Sequence, residues 1–520
     1  MLPTPPAPPQ PVAPPPPGWA APSPPSSWGA YPPPPPPPAP PVGPRRLRAI
    51  AIATLALVVI ASAAVVIAVR DASSTQHSET WDARVLDIVR FAERHRGLEF
   101  KHPVYVDFLT AEQYSERTRT DAAVLSEEEQ QAYADAEGEL RAFGLVAGDT
   151  SLLDVSNDLQ DTGTLAFYDP HAKRITVRGT EMAVDVRVTL VHELVHVLQD
   201  QHFDINKTRD EFLTSGEGQA FRALAEGDAV RIEDQYVDQL SDTDRAEYDS
   251  TRDQSFTEVK TDLAHVPSAL QAFQAAPYEL GPVLLALLAS KGGNAAIDEA
   301  FLDPPSTEAQ LLDPRAYFAH RDALEVSEPL APDDVADPTD SGDLGALTWY
   351  LVLAQRIDPF EALAASDGWG GYAYIAYRQS DRTCVRAAFR GVDDRATDVM
   401  RTALHTWSAA GPAGTSTVVD TGEGVEVTSC DPGADASVND SQRALQAFLI
   451  PDLRVQWMQA AVEGGGYDLE KGWSYGDCMI RQLTFEQYGV LNESPSADAL
   501  PDDLRATLDQ AQSDCIAQVA

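Results

Sequence analysis

Thr189-Leu190-Val191-His192-Glu193-Leu194-Val195-His196-Val197-Leu198-Gln199-Asp200 is the stretch from which the rest of the chain is read. It holds His-Glu-x-x-His within an apolar helical run of Leu190, Val191, Leu194, Val195 and Leu198. Residues four apart on a helix share a face, with Cβ atoms about 5–6 Å apart, so His192 and His196 can reach one ion. Glu193 follows the first imidazole directly. From there its carboxylate addresses a water held by the ion rather than the ion itself, the placement of a general base. With 10 His in 520 residues, chance supplies on the order of 0.01 such matches per chain. The pattern is therefore read as a Zn²⁺ site.

A catalytic zinc needs a third protein ligand and one open position. No further His stands at a suitable spacing, which turns attention to Arg222-Ala223-Leu224-Ala225-Glu226-Gly227-Asp228-Ala229-Val230. Glu226 is the favoured third ligand. Its neighbours Leu224, Ala225 and Ala229 imply burial, which unpaired acids avoid, and Gly227 admits a second backbone at close range. Glu217, Asp228 and Glu233 compete with it. Asp228 and Asp200 are candidates for orienting the imidazoles, since a metal-bound His gives its second N–H to a carboxylate or carbonyl. His202 reads as a helix-end residue.

Working outward, Thr164–Tyr168 and Arg174–Arg178 read as strands around the turn Asp169-Pro170-His171-Ala172, a hairpin signal. A helix over Ala183–His202 follows. Arg174–Arg178 is expected at a sheet edge, where an extended peptide adds by backbone pairing. Val104–Leu109 reads as a further strand. Thr80–His95, Glu127–Phe143, residues 210–240 and a buried Leu280–Ser290 read as helices.

The N-terminal region differs in kind. Of 40 prolines, 23 fall within residues 1–44, a composition that cannot pack a core and favours an extended, disordered tail. A solvated spacer is the favoured reading of this tail, and the alternative is a docking segment for a proline-reading cytoplasmic partner, with Trp19, Trp28 and Tyr31 as extra anchors. Arg45-Arg46-Leu47-Arg48 then precedes an uncharged run from Ala49 to Val69, long enough as a helix to span about 30 Å of hydrocarbon. The flanking arginines keep residues 1–48 in the cytoplasm, and the chain beyond Arg70 is exported.

Four of the 38 basic residues lie in that first segment, so 34 face 80 acids beyond it, a balance of −46. Such a surface repels phosphate backbones, which excludes nucleic acid as a partner. All four cysteines lie on the exported side. Cys384–Cys430 and Cys478–Cys515 are the expected bridges, since each closes a local loop and Val425–Cys430 can pair with a strand over Cys384–Phe389. Ala331–Asp343 reads as an acidic linker.

His192 to Phe203 with the Glu226-Gly227-Asp228-Ala229 element resembles bacterial neutral zinc metallopeptidases of the gluzincin type. Pro277-Tyr278 with Gly281, and Pro304-Pro305-Ser306-Thr307-Glu308 leading to Asp313-Pro314, fit the same pattern, and the resemblance covers roughly residues 80–325. Asp313 departs from it, because His is expected before that proline. The resemblance implies peptide-bond hydrolysis with Zn²⁺ on His192, His196 and Glu226 and with Glu193 as base. Hydrolysis also needs an oxyanion donor, for which Tyr278 and Tyr317 are the candidates.

The expected fold class is α+β: a mostly helical, zincin-like domain over 76–330, with a small antiparallel sheet before the zinc helix. A disulfide-bearing α+β subdomain over 345–520 follows the tail (1–48) and the anchor (49–69). The expected function is a membrane-anchored extracellular endopeptidase acting on peptides or proteins. A catalytically silent, zincin-like binding or sensor module is the alternative.

Overall fold

A computed structural model describes residues 77–519 except 164, 206–215, 333–337, 344, 423, 439–441 and 495–499. The proline-rich tail and the expected Ala49–Val69 anchor lie outside the described residues, as does part of the Ala331–Asp343 linker. The first part of the described chain runs α1 (Leu86–Arg96), β1 (Tyr105–Leu109), α2 (Ala111–Thr118), α3 (Glu127–Phe143), α4 (Leu152–Gly163), β2 (Ala166–Asp169), β3 (Arg174–Arg178), α5 (Val184–Phe203), α6 (Gly216–Val237), α7 (Asp242–Asp262) and α8 (Ser268–Leu302). With five further strands and a set of C-terminal helices, the class is mostly helical α+β.

Local chemistry accounts for several boundaries. Thr110 with Gln113 and Ser126 with Glu129 form reciprocal capping boxes at the starts of α2 and α3, each satisfying N–H groups that a helix start leaves unpaired. The hairpin β2–β3 turns where Asp169 Oδ1 accepts the N–H groups of His171 and Ala172 at 2.8 and 3.0 Å, a side-chain mimic of a backbone turn.

The first sheet has the order β1-β3-β2, with β3 parallel to β1 and antiparallel to β2. It is mixed, not antiparallel as expected. The chain between β1 and β2 is long and helical, and a crossover of that kind permits parallel pairing. Consequently Arg174–Arg178 is the central strand, hydrogen-bonded on both sides, and cannot be the edge that receives a peptide. The antiparallel edge is β2.

Helix α5 carries apolar residues around its whole circumference, the mark of a buried helix. Leu190, Val191, Leu194, Val195, Val197 and Leu198 are all inaccessible, each contributing about 1.5–3 kcal/mol of burial. They pack with Ile88 and Ala92 of α1, Ile175 and Val177 of β3, and Ala229 and Ile232 of α6. The two histidine-bearing turns are thereby clamped between a sheet and two helices.

Helix α8 extends well beyond the expected Leu280–Ser290, running through Pro277 and Pro282, with a break at Gly293 (φ 63°, ψ −148°). Among the described residues it is the helix long and apolar enough to cross a membrane by length and composition. Its side chains are consumed by protein packing instead: Leu280, Val283, Leu284 and Leu285 are inaccessible within the main core.

Beyond it stand β4 (Asp340–Gly342), β5 (Trp369–Gln379), β6 (Arg382–Gly391), β7 (Ser416–Asp420) and β8 (Val425–Cys430), in the order β4-β5-β6-β8-β7. Cys384 faces Cys430 across β6 and β8, and the two are bonded, as are Cys478 and Cys515. One apolar core continues from Ala136 in α3 to Cys515.

Candidate metal centre

Three helices build the site. Helix α5 brings His192, Glu193 and His196, α6 brings Glu226, and α8 closes against α6 from behind. The α6–α8 crossing is set by glycine. A Cβ on Gly227 would lie 2.5 Å from the carbonyl carbon of Gly281, and one on Gly281 would lie 2.1 Å from the Ala223 oxygen. Any side chain there forces the helices apart, and Glu226 precedes Gly227. Gly281→Ala is therefore expected to lower stability by about 1–3 kcal/mol and to weaken metal binding in the same variant. Urea unfolding and metal titration check the pair of effects, and an unchanged unfolding midpoint would refute the packing account.

One oxygen of Glu226 meets both imidazoles: Oε2 lies 3.1 Å from His192 Nε2 and 3.3 Å from His196 Nε2. The three donor atoms fall within 4.8 Å of one another. Ligands at about 2.0–2.1 Å around a tetrahedral ion stand about 3.3 Å apart, which matches the two measured edges. His192, His196 and Glu226 thus form a group able to hold a metal ion. His192 and Glu226 are buried, and the His196 side chain keeps 13% of its surface accessible.

The electrostatics suit a cation. Burial opposes charge on His192, but its contacts with Glu226 and Glu233 prevail and lift its pKa to about 10. For His196, too, burial is outweighed by Glu226, and the pKa rises. The Glu226 carboxylate resists its own burial through the two imidazoles and is held well below the usual range. Positive charge is drawn to the point where the three side chains meet, so protons and a metal compete for it.

Glu193 is buried beside these groups. Its Oε2 accepts the Tyr168 N–H at 2.7 Å from the open side of β2, while Oε1 has no hydrogen-bond partner. Burial pushes its carboxyl up to about 7, against the pull of His196 and His192.

The imidazoles are oriented by groups other than the expected aspartates. His192 Nδ1 donates to Glu233 Oε2 at 3.0 Å, and His196 Nδ1 donates to Gln199 Oε1 at 2.9 Å. Each bond leaves Nε2 to face Glu226, fixing the ring's orientation. Gln199 Nε2 donates in turn to the Ala225 carbonyl and to Asp228 at 2.9 and 3.2 Å. Asp228 therefore acts one bond removed from His196, and its main partner is Arg96 at 2.6 Å. Asp200 instead accepts from Tyr168 Oη and Lys173 Nζ, both at 2.7 Å, pinning the β2–β3 hairpin to α5. Of the rival third ligands, Glu233 serves His192, and the Glu217 side chain lies outside the described ones. His202 Nε2 contacts the Glu99 carbonyl at 2.8 Å, a helix-end role.

Gln199 is absent from the expected site residues and Glu233 stands among them only as a rival third ligand, yet spacing points to both. Glu233 stands two helical turns after Glu226, and Gln199 three residues after His196, so each shares a face with a ligand.

The fold is mostly helical α+β, and this centre is a His/His/Glu group able to hold a metal ion. No protein-family model, curated protein or solved structure matches the chain.

Proposed function

We propose that the chain is a zinc-dependent endopeptidase, tethered by residues 49–69 with its C-terminal part outside the cell. The observation that carries this reading is the meeting of His192, His196 and Glu226 at one buried point, with the unpartnered oxygen of Glu193 in the same cluster. Zinc held there would polarise a peptide carbonyl and make water acidic near neutral pH. Glu193 has the protein's side of the chemistry. The Tyr168 N–H fixes one of its oxygens and leaves the other to take a proton from water and return it to the departing amine.

Strand β2 supports a peptide as substrate. It is an edge strand whose Tyr168 N–H is held by Glu193, so an extended chain pairing with the other backbone groups of that edge would lie beside the base. The tether rests on the uncharged Ala49–Val69 run behind Arg45, Arg46 and Arg48, since α8 is spent on the core. A silent binding module has no use for a buried carboxylate with an unpartnered oxygen, which favours the enzyme.

The direct test is metal analysis of the full-length chain in detergent. The wild type should carry about one zinc per chain and cleave members of a mixed peptide library. His196→Ala should retain little metal and no activity. A wild type that takes up no zinc would sink the proposal.

A further inference from the structure

Tyr168 is tied to helix α5 at two places. Its backbone N–H donates to Glu193 Oε2 at 2.7 Å, and its hydroxyl donates to Asp200 Oδ2, also at 2.7 Å. Glu193 and Asp200 stand seven residues apart, about 10 Å along the axis, so one tyrosine straddles two turns of the helix. The same Asp200 oxygen accepts Lys173 Nζ at 2.7 Å. Tyr168 and Asp200 are buried, and the Lys173 side chain keeps 29% of its surface accessible.

Neither member of the Lys173–Asp200 pair suits its local structure. Asp200 lies in the last turn of α5, where the carbonyl end of the helix dipole disfavours a carboxylate. Lys173 has φ 50°, a left-handed conformation that a residue with a Cβ resists and glycine adopts freely. Strain of this kind gathers at functional sites, and here the contact it secures leads to the edge strand. Strand β2 is four residues long and is paired on one side, by β3. Its Tyr168 N–H fixes Glu193 Oε2 and leaves Oε1 unpartnered. A hairpin free to lift from α5 would take that N–H with it, and the carboxylate would turn about its own bonds.

We propose that Asp200, latched by Lys173, is a positioning residue for Glu193: by holding the Tyr168 ring it holds the Tyr168 N–H, and through it the orientation of the base. The inference rests on the peptidase reading above. Asp200, Lys173 and the Tyr168 ring act on the substrate only through Glu193, by setting where its carboxylate stands when it takes the water proton. A displacement of about 1 Å at such a group lowers a rate by about 10²-fold.

The test uses the full-length chain in detergent and its Tyr168→Phe, Lys173→Gly and Lys173→Arg variants. Exchange of the residue-168 amide is followed by mass spectrometry in zinc-loaded and EDTA-treated protein, alongside thermal midpoints and kcat and KM on a peptide that the wild type cleaves. Tyr168→Phe and Lys173→Gly should speed exchange of that amide by about 10–100-fold, the loss of a charge-assisted hydrogen bond, and leave the amides of β3 at their wild-type rates. Each should lower kcat by about 10–100-fold with KM and zinc content near wild type. Lys173→Gly also relieves the left-handed backbone, so its thermal midpoint should not fall. Lys173→Arg keeps the cation and should keep most of the wild-type kcat. The inference falls alone if the wild type hydrolyses peptides and Tyr168→Phe and Lys173→Gly retain its kcat, if the residue-168 amide exchanges at the wild-type rate in both, if Lys173→Arg is as slow as Lys173→Gly, or if Lys173→Gly unfolds several degrees earlier, as a purely structural latch would require. A wild type that hydrolyses nothing overturns the peptidase reading, and this inference with it, whatever the amide shows.

Discussion

Glu193→Gln is expected to lower kcat by about 10²–10⁴-fold, the contribution of a positioned proton acceptor, while zinc content stays at the wild-type level. The amide keeps the volume of the side chain, and its oxygen can still accept the Tyr168 N–H that the wild-type carboxylate takes at 2.7 Å. Only basicity is lost. A general base works in its ionised form, so wild-type activity should decline as pH falls through the Glu193 pKa. Burial sets that value at about 7, and a dication on the neighbouring ligands draws it lower. The acid limb of kcat/KM then lies at or below neutrality. In Glu193→Gln the residual rate should lose that limb, leaving any acid inactivation to protonation of the ligands and metal release. Metal analysis alongside the pH–rate profile separates the two causes. A variant with full zinc and a wild-type kcat would remove Glu193 from the mechanism.

Much of this centre could be read from local spacing because its central relation is local. His192 and His196 meet by helix geometry alone, and Glu193 follows from the same turn. Glu226 was accessible through a weaker argument, an acid among small apolar residues followed by glycine, and Gly227 does lie against Gly281. Relations that depend on how helices cross were not accessible. Glu233 and Asp228 stand on the same helix, and nothing in their spacing says that the first meets His192 while the second meets Arg96. The same limit applies to the sheet. Strand periodicity located β1, β2 and β3 to within a residue or two, but pairing direction is a non-local property, so the central position of β3 and its parallel partner were missed. In α8 the expected helix, Leu280–Ser290, is only the middle of the observed one, which runs from Ser268 to Leu302 and accommodates both Pro277 and Pro282.

The largest stability effect should come from the non-local pair that connects this core to His196. Arg96 is wholly buried, 2.6 Å from Asp228 and 2.7 Å from Asp298. Asp228 is equally inaccessible, whereas Asp298 keeps 36% of its side chain exposed. Arg96→Met fills the space but leaves Asp228 buried, with Arg231 and Gln199 as its remaining partners. Removing one member of a buried ion pair costs about 3–5 kcal/mol, because the surviving charge is still out of water. Urea unfolding should show a loss of that size. Adding Asp228→Asn to Arg96→Met should restore part of it, since the stranded charge is gone while the hydrated Asp298 can look after itself. The loss should also reach the metal. Asp228 holds Gln199, and Gln199 holds the His196 ring, so zinc affinity should fall, though by less than the about 10–100-fold that loss of a directly bonded partner causes. A single-variant loss below about 1 kcal/mol, the value of a surface ion pair, would mean that water already reaches Arg96, and the proposed link from Arg96 through Asp228 to the imidazole would fail with it.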